Sequence, residues 1–365
     1  MKGVSMAKRL LTSIVSLGFI TSVLIAAPAQ ANEAKLKGAG SSYANKFVVA
    51  CAVADPATSV AYNPAGSGTG RSSYTNGTVD FGASDAAQTT SLTFSGLRSG
   101  KSANYSYIPV VGGPIAILYT VPGLKTGELR LDSNAIALVL SGKVKKWNDP
   151  VIKKLQTAAV AKKLPKNAIR VVYRSASSGT SENLTDYLRQ TSPKVWTKAR
   201  NGTIASGNPA GRMPLGSIGA ANSQALVSTV KSTKFAFGYA DLADASTAGV
   251  PFATVKNANG EFVSPTSATA SKFLEAFSTG AGFNAKTGAV TLNFKRKIPG
   301  AYNMSLLAYA MVDVDNSGYA KAAQVKAFVK YMLNTCGPSR AASLGYSPIS
   351  GALLTKANAI ADRIS

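Results

Sequence analysis

Three times along this chain a short apolar run passes through a turn of glycine, serine and threonine into a helical stretch. The segments are "LKGAGSSYANKFVVACAVA" at 36–54, "SVAYNPAGSGTGRSSYTNGTVDFGASDAA" at 59–87 and "YRSASSGTSENLTDYL" at 173–188. The last follows the β-branched run Ile169-Arg170-Val171-Val172. The first turn, at 38–42, leads into a helix whose apolar side includes Phe47, Val48 and Cys51. In the second segment a strand ends at Asn63 and meets Gly66-Ser67-Gly68-Thr69-Gly70. A further strand over 78–83 ends at Ser84-Asp85. Strands alternating with helices indicate an α/β architecture.

Two apolar runs stand apart from this pattern. "YIPVVGGPIAILYTVPGL" at 107–124 is β-branched on both sides of a Gly-Gly-Pro interruption, and reads as a strand crossing from one domain into another. "AYNMSLLAYAMV" at 301–312 is the candidate for a second crossing. Between them lie a segment at 133–150, a helix carrying Ile136, Leu138, Val139 and Leu140 and closed by a turn, and a buried strand at 235–242. An amphipathic helix follows at 322–334.

Lys2, Lys8 and Arg9 precede an apolar run at 10–27, and Ala29-Gln30-Ala31 then supplies small residues at signal-peptidase spacing. We read 1–31 as a secretory signal peptide rather than a membrane anchor, because the cleavage site follows at once. The remaining length suits two domains of ordinary size. Without those three cations the chain holds 37 basic against 16 acidic residues, a formal charge of +21. Such a balance argues for anionic partners or surroundings. The lysines are scattered, with no run of five and no zinc-finger spacing, so we read them as a solvated surface and expect no specific nucleic acid.

Histidine is absent. That removes the usual general base, the Ser-His-Asp triad and the commonest metal ligand together. With only Cys51 and Cys336 a zinc cluster is excluded, and in an exported protein the two could pair.

The polar turns carry the remaining chemistry. A helix N-terminus has unpaired N–H groups and a partial positive charge, which suit an anion. Hydroxyls add donors without charge, and glycine lets the backbone come close. Any one such turn is an ordinary cap. Three of them together with Arg174 point instead to one small oxyanion, the guanidinium offering a forked pair of donors. The turns lack the GK[ST] ending of a P-loop and do not complete G-x-G-x-x-G. No S-x-x-K stands beside them to support a serine hydrolase. Asp85 has two readings on chemistry alone. It caps the next turn, or it accepts a hydrogen bond from an anion that carries its own proton, as phosphate does near neutral pH and sulfate does not.

The segments "LKGAGSSY", "AYNPAGSGTGRSSYTNGTVDFGASDAA", "IPVVGGPIAILYTVPGLKTGELRLD", "LSGKVKKWNDPVI" and "VVYRSASSGTSENLTDYL" resemble, in order, the blocks of the phosphate-binding proteins that serve high-affinity phosphate ABC transporters. "TVDFGASDA" and "SGKVKKWNDP" are specific to that group. The likeness weakens after residue 190, where "FAFGYADLADA" still fits. It implies an α/β, two-domain periplasmic solute-binding protein of type II, with a ligand cleft between domains joined by crossing strands. Domain I would comprise 32–111 plus 302–365, and domain II 112–301. By position the phosphate contacts fall on Ser42, Tyr43, Ser67, Asp85, Arg174, Ser178, Gly179 and Thr180. The resemblance also places Cys51 and Cys336 in one domain, which favours a disulfide. It implies a monomer that works with a membrane permease, without cofactor or metal, in the periplasm, and not an enzyme. A secreted phosphoesterase-like or adhesive surface protein on the same fold is the alternative. The chain departs from the pattern at Ala176, where an acidic residue is usual, at Ser177, where glycine is usual, and at Tyr43, which is often phenylalanine.

Overall fold

The computed structural model describes residues 35–87, 104–197, 213–277, 282–315 and 318–365. The leader read at 1–31 lies outside them. An eight-stranded sheet runs in the order β2-β1-β3-β11-β4-β8-β6-β7. Its strands are β1 (Leu36–Gly40), β2 (Val60–Asn63), β3 (Phe81–Ser84), β4 (Asn104–Tyr119), β6 (Arg170–Arg174), β7 (Ile218–Ala220), β8 (Ala236–Asp241) and β11 (Ser305–Val314). A smaller sheet joins β10 (Phe262–Val263), β9 (Thr254–Lys256) and β5 (Arg130–Leu131).

At one end of the large sheet β1 pairs in parallel with β2 and β3. At the other, β6 pairs in parallel with β7 and β8. Parallel neighbours need a crossover, and helices supply it. These are α1 (Asn45–Ala54) and α2 (Ser67–Thr75) at the first end. After β5 come α3 (Ser133–Leu140), α4 (Pro150–Lys153) and α5 (Ala158–Lys163). At the second end α6 (Gly179–Thr191) links β6 to β7, and α7 (Ser223–Ser232) links β7 to β8.

The two long antiparallel strands join these ends. β4 pairs with β11 over its first part, then changes partner at the Gly-Gly-Pro and pairs with β8 from Ile115 to Tyr119. The sequence suggested an interruption at 112–114; the strand runs straight through it. Pro114 has no N–H to leave unpaired at the change of partner. A Cβ at Gly112 would lie 2.4 Å from Leu274 Cδ1 and 3.2 Å from the Leu306 carbonyl, so a larger residue there would require the Leu274 side chain to shift. All ten residues of β11 and all six of β8 are buried. Strands covered on both faces read as continuous apolar runs, which is why both were visible as such.

The amphipathic helix at 322–334 is two elements. It runs as α-helix from Ala322 to Tyr331 and continues as a π-helical turn from Met332 to Cys336. That turn brings Cys336 to Cys51 on α1, and the two form a disulfide with Cα atoms 5.6 Å apart.

Candidate functional site

Parallel strands at each end of the sheet send their C-terminal ends, and the turns that follow, toward a common region, the usual place for a ligand in open α/β sheets. Asp85, directly after β3, is the centre of it and is 2% exposed. Its Oδ1 accepts the Ser41 hydroxyl, from the turn after β1. Its Oδ2 accepts the Thr180 hydroxyl, from the first turn of α6, at 3.0 Å. Its backbone N–H donates to Ser67 Oγ, at the start of α2, at 3.1 Å. All three polar turns of the sequence therefore meet at one residue, two of them at its carboxylate and one at its backbone N–H.

Burial pushes the Asp85 carboxyl above the ordinary carboxylate range. The hydroxyls of Ser41 and Thr180 and the charges of Arg174 and Arg71 oppose that rise. Each carboxylate oxygen has two lone-pair directions, and one hydroxyl on each leaves acceptor capacity for a further donor.

Gly179 faces the same group. A Cβ on it would stand 2.7 Å from Ser67 Oγ and 2.8 Å from Asp85 Cβ, so only glycine lets the start of α6 come this close. Ser178 caps α6, accepting the Ser181 N–H at 3.3 Å. Arg174 ends β6 and is 2% exposed. Among the described residues it has no ion pair. Its Nε and Nη2 both donate to the Ala221 carbonyl, at 3.3 and 3.1 Å. A main-chain carbonyl thus orients this guanidinium where Ala176 supplies no carboxylate. Burial pushes it below its ordinary pKa, against the attraction of Tyr239, Asp85 and Asp241.

Ser42 and Tyr43 lie in the first turn but act differently from each other. Ser42 Oγ accepts the Ser223 N–H at 3.1 Å and donates to Ser223 Oγ at 3.2 Å, at the start of α7. The Tyr43 side chain is committed elsewhere, its hydroxyl donating to the Pro114 carbonyl at 3.1 Å and its ring packing edge-on against Tyr346. Only its backbone N–H is left for an anion.

Residues 26–335 match the family model of the PBP superfamily domain. Phosphate-binding protein PstS 3 of Mycobacterium leprae is 31% identical over 336 residues, which cover 89% of this chain and 87% of that protein. The chain belongs to the phosphate-binding protein family. Phosphate-binding protein PstS of Xylella fastidiosa (strain Temecula1) is 28% identical over 88% of this chain and 83% of its own length. The match to PstS of Pasteurella multocida is 32% identical but spans only 55% of that relative. A high-affinity periplasmic phosphate-binding protein solved with phosphate superposes with a TM-score of 0.67 at 20% identity, covering 89% of this chain and 93% of that one. The phosphate-binding protein of Stenotrophomonas maltophilia gives 0.66 at 22%, covering 90% and 94%. These likenesses establish the type II α/β fold of that family.

Four site residues escaped the sequence reading. Ser41 precedes the pair chosen from the first turn. Arg71 donates to Ser84 Oγ at 3.0 Å and to Glu182 Oε1 at 2.6 Å, joining α2 to α6. Glu182 stands in the first turn of α6, and burial raises its pKa against the pull of Arg71. Ser223 lies beyond residue 190, where the resemblance is weak. The signals were present: an arginine directly after a glycine-rich turn, and a glutamate three residues after Gly179.

Proposed function

We propose that this protein is an exported receptor that holds inorganic phosphate around Asp85 and delivers it to the membrane permease of a phosphate ABC transporter. The carrying observation is the meeting of three separate polar turns on one buried residue, Ser41 and Thr180 on the carboxylate of Asp85 and Ser67 on its backbone N–H. Arg174 and Arg71 supply positive charge to that carboxyl. Membership of the phosphate-binding family supports the ligand. In this reading 32–111 plus 302–365 form domain I and 112–301 domain II, and the Asp85–Thr180 bond closes the cleft between them, closure on the ligand being the expected motion. Ser42, Tyr43, Ser67, Arg174, Ser178, Gly179 and Thr180 donate to the phosphate oxygens, Ser42, Tyr43, Gly179 and Thr180 through their backbone N–H groups because the hydroxyl hydrogens of Ser42 and Thr180 are given to Ser223 and Asp85. Asp85 accepts the proton that phosphate carries. The protein works as a monomer in the periplasm after loss of 1–31, and it is a receptor rather than an enzyme, consistent with a sequence that has no histidine.

Calorimetry on protein stripped of bound ligand tests this. Phosphate should bind with a stoichiometry of one, arsenate should compete and sulfate should not. Absence of phosphate binding would overturn the reading. Phosphatase assays with and without added metal address the enzymatic alternative.

A further inference from the structure

The cations of the chain are densest in one stretch. Residues 143–170 carry nine of the forty cations of the chain and a single carboxylate, Asp149. Lys143, Lys145, Lys146, Lys153, Lys154, Lys162, Lys163, Lys166 and Arg170 are all exposed. Among them only Lys163 has a carboxylate partner, Glu128 at 3.2 Å. Asp149 is occupied in capping α4, where it accepts the Val151 N–H.

The fold places Arg170 of this set in the lining of a groove, with the 145–147 strip beside it. Residues 145–147 run antiparallel to 167–169, through Ile169 N–H to Lys145 O at 2.8 Å and Trp147 N–H to Asn167 O at 3.2 Å. The Phe235 carbonyl then accepts both the Arg170 N–H at 3.0 Å and the indole N–H of buried Trp147 at 3.1 Å. Phe235 has a left-handed backbone, with φ of 62°, a costly conformation for a bulky residue that these bonds hold in place. Between 167–170 and 232–235, with Ile218 of β7 also in the lining, lies a groove of about 610 Å³. Asn167, Ala168 and Arg170 line one side, and Thr233, Lys234 and Phe235 the other, with no acidic residue in the lining. Lys145 and Lys146 neighbour it through the 145–147 strip, and Lys231 through the end of α7; all three are exposed.

This groove is remote from the Asp85 cluster. Arg170 opens β6 and Arg174 closes it. Four residues of strand at roughly 3.3 Å each put the two ends roughly 13 Å apart. The C-terminus of α7 points its carbonyl end toward the groove, which disfavours a small anion held by backbone but suits lysines. Long cationic side chains then do the holding, and a repeating anion engages several at once.

We propose that the groove at the N-terminal ends of β6, β7 and β8 binds a linear chain of phosphoryl groups, inorganic polyphosphate being the probe that fits. The lining offers one aromatic ring, which is not the run of stacking platforms that single-stranded nucleic acid uses. The exposed large apolar side chains of the described residues are Val49, Val53 and Leu215, none of them in the lining, so the groove is not a membrane-insertion surface.

The test uses the full protein in saturating orthophosphate, which keeps the Asp85 site occupied. Polyphosphate should bind at 50 mM salt, and its affinity should fall steeply with added salt as counterions are released. Replacing Lys145, Lys146, Arg170 and Lys234 by Gln should weaken binding by at least about tenfold and flatten the salt dependence. A control with Lys272, Lys286, Lys295 and Lys297 replaced by Gln removes the same charge elsewhere and should keep most of the binding. Orthophosphate affinity should stay within about twofold in both variants. Equal losses in the two variants would reduce the effect to diffuse charge and overturn the proposal. So would no binding at 50 mM salt, or stronger binding of single-stranded DNA or anionic vesicles at equal charge.

Discussion

At the residue scale the proposed function makes Asp85 the group that decides between anions. A fully ionised anion facing this buried carboxylate has no proton to share, whereas phosphate can donate one. Sites built to bond a hydroxyl reject analogues lacking it by roughly 10⁴-fold or more. Asp85→Asn should therefore lose selectivity, with weaker phosphate and stronger sulfate binding in competition titrations; an unchanged ratio would leave Asp85 a structural cap. The same group sets a pH dependence. Burial raises its folded pKa above the ordinary value of 3.8. Its contribution to stability is then fully present below that value and lost as pH rises through the folded pKa, because ionisation inside the site is unfavourable. In ligand-free protein the Tm of Asp85→Asn should rise relative to wild type as pH goes from 4 toward 7, and a constant difference would refute this. Ala176 is a milder case. Arg174 is already oriented by the Ala221 carbonyl, so Ala176→Asp should change phosphate affinity by less than about 1.4 kcal/mol, or tenfold, in calorimetry.

At the element scale the starts of α2 and α6 are joined by more than the Asp85 cluster. The Arg71–Glu182 pair is mostly buried, with side chains 12% and 19% exposed. Gly68 N–H also donates to the Ser177 carbonyl at 3.3 Å. Removing one partner of such a pair leaves the other charge uncompensated. Arg71→Met should weaken phosphate binding by about 2 kcal/mol, roughly thirtyfold, through loss of the closed arrangement. Adding Glu182→Leu should recover most of that loss, because no buried charge is then left alone. Failure of the double variant to recover would show that Arg71 acts on the ligand directly rather than through Glu182.

At the scale of the whole molecule, the disulfide ties α1 to the π-helical turn that follows the helix Ala322–Tyr331, across 285 residues of sequence. In the chain-entropy treatment so long a loop contributes at most about 6 kcal/mol. Cys51→Ala with Cys336→Ala should lower urea-unfolding stability by no more than that, and phosphate affinity should change little. The sequence by itself determined the α/β class and the positions of the polar turns. It also showed the two apolar crossings, since strand, turn and cap preferences act over a few neighbouring residues and fully buried strands are apolar throughout. It did not separate a capping serine from a ligand-facing one, because both need the same hydroxyl at a helix start. Tyr43 illustrates this: its position matched the family, yet its side chain is committed to Pro114 and Tyr346. Only the tertiary structure joined Thr180 to Asp85, Arg71 to Glu182 and Ser42 to Ser223. These partners are 95, 111 and 181 residues apart. Which of them meet depends on how β4 and β11 carry the chain between the two ends of the sheet, and no local preference encodes that path.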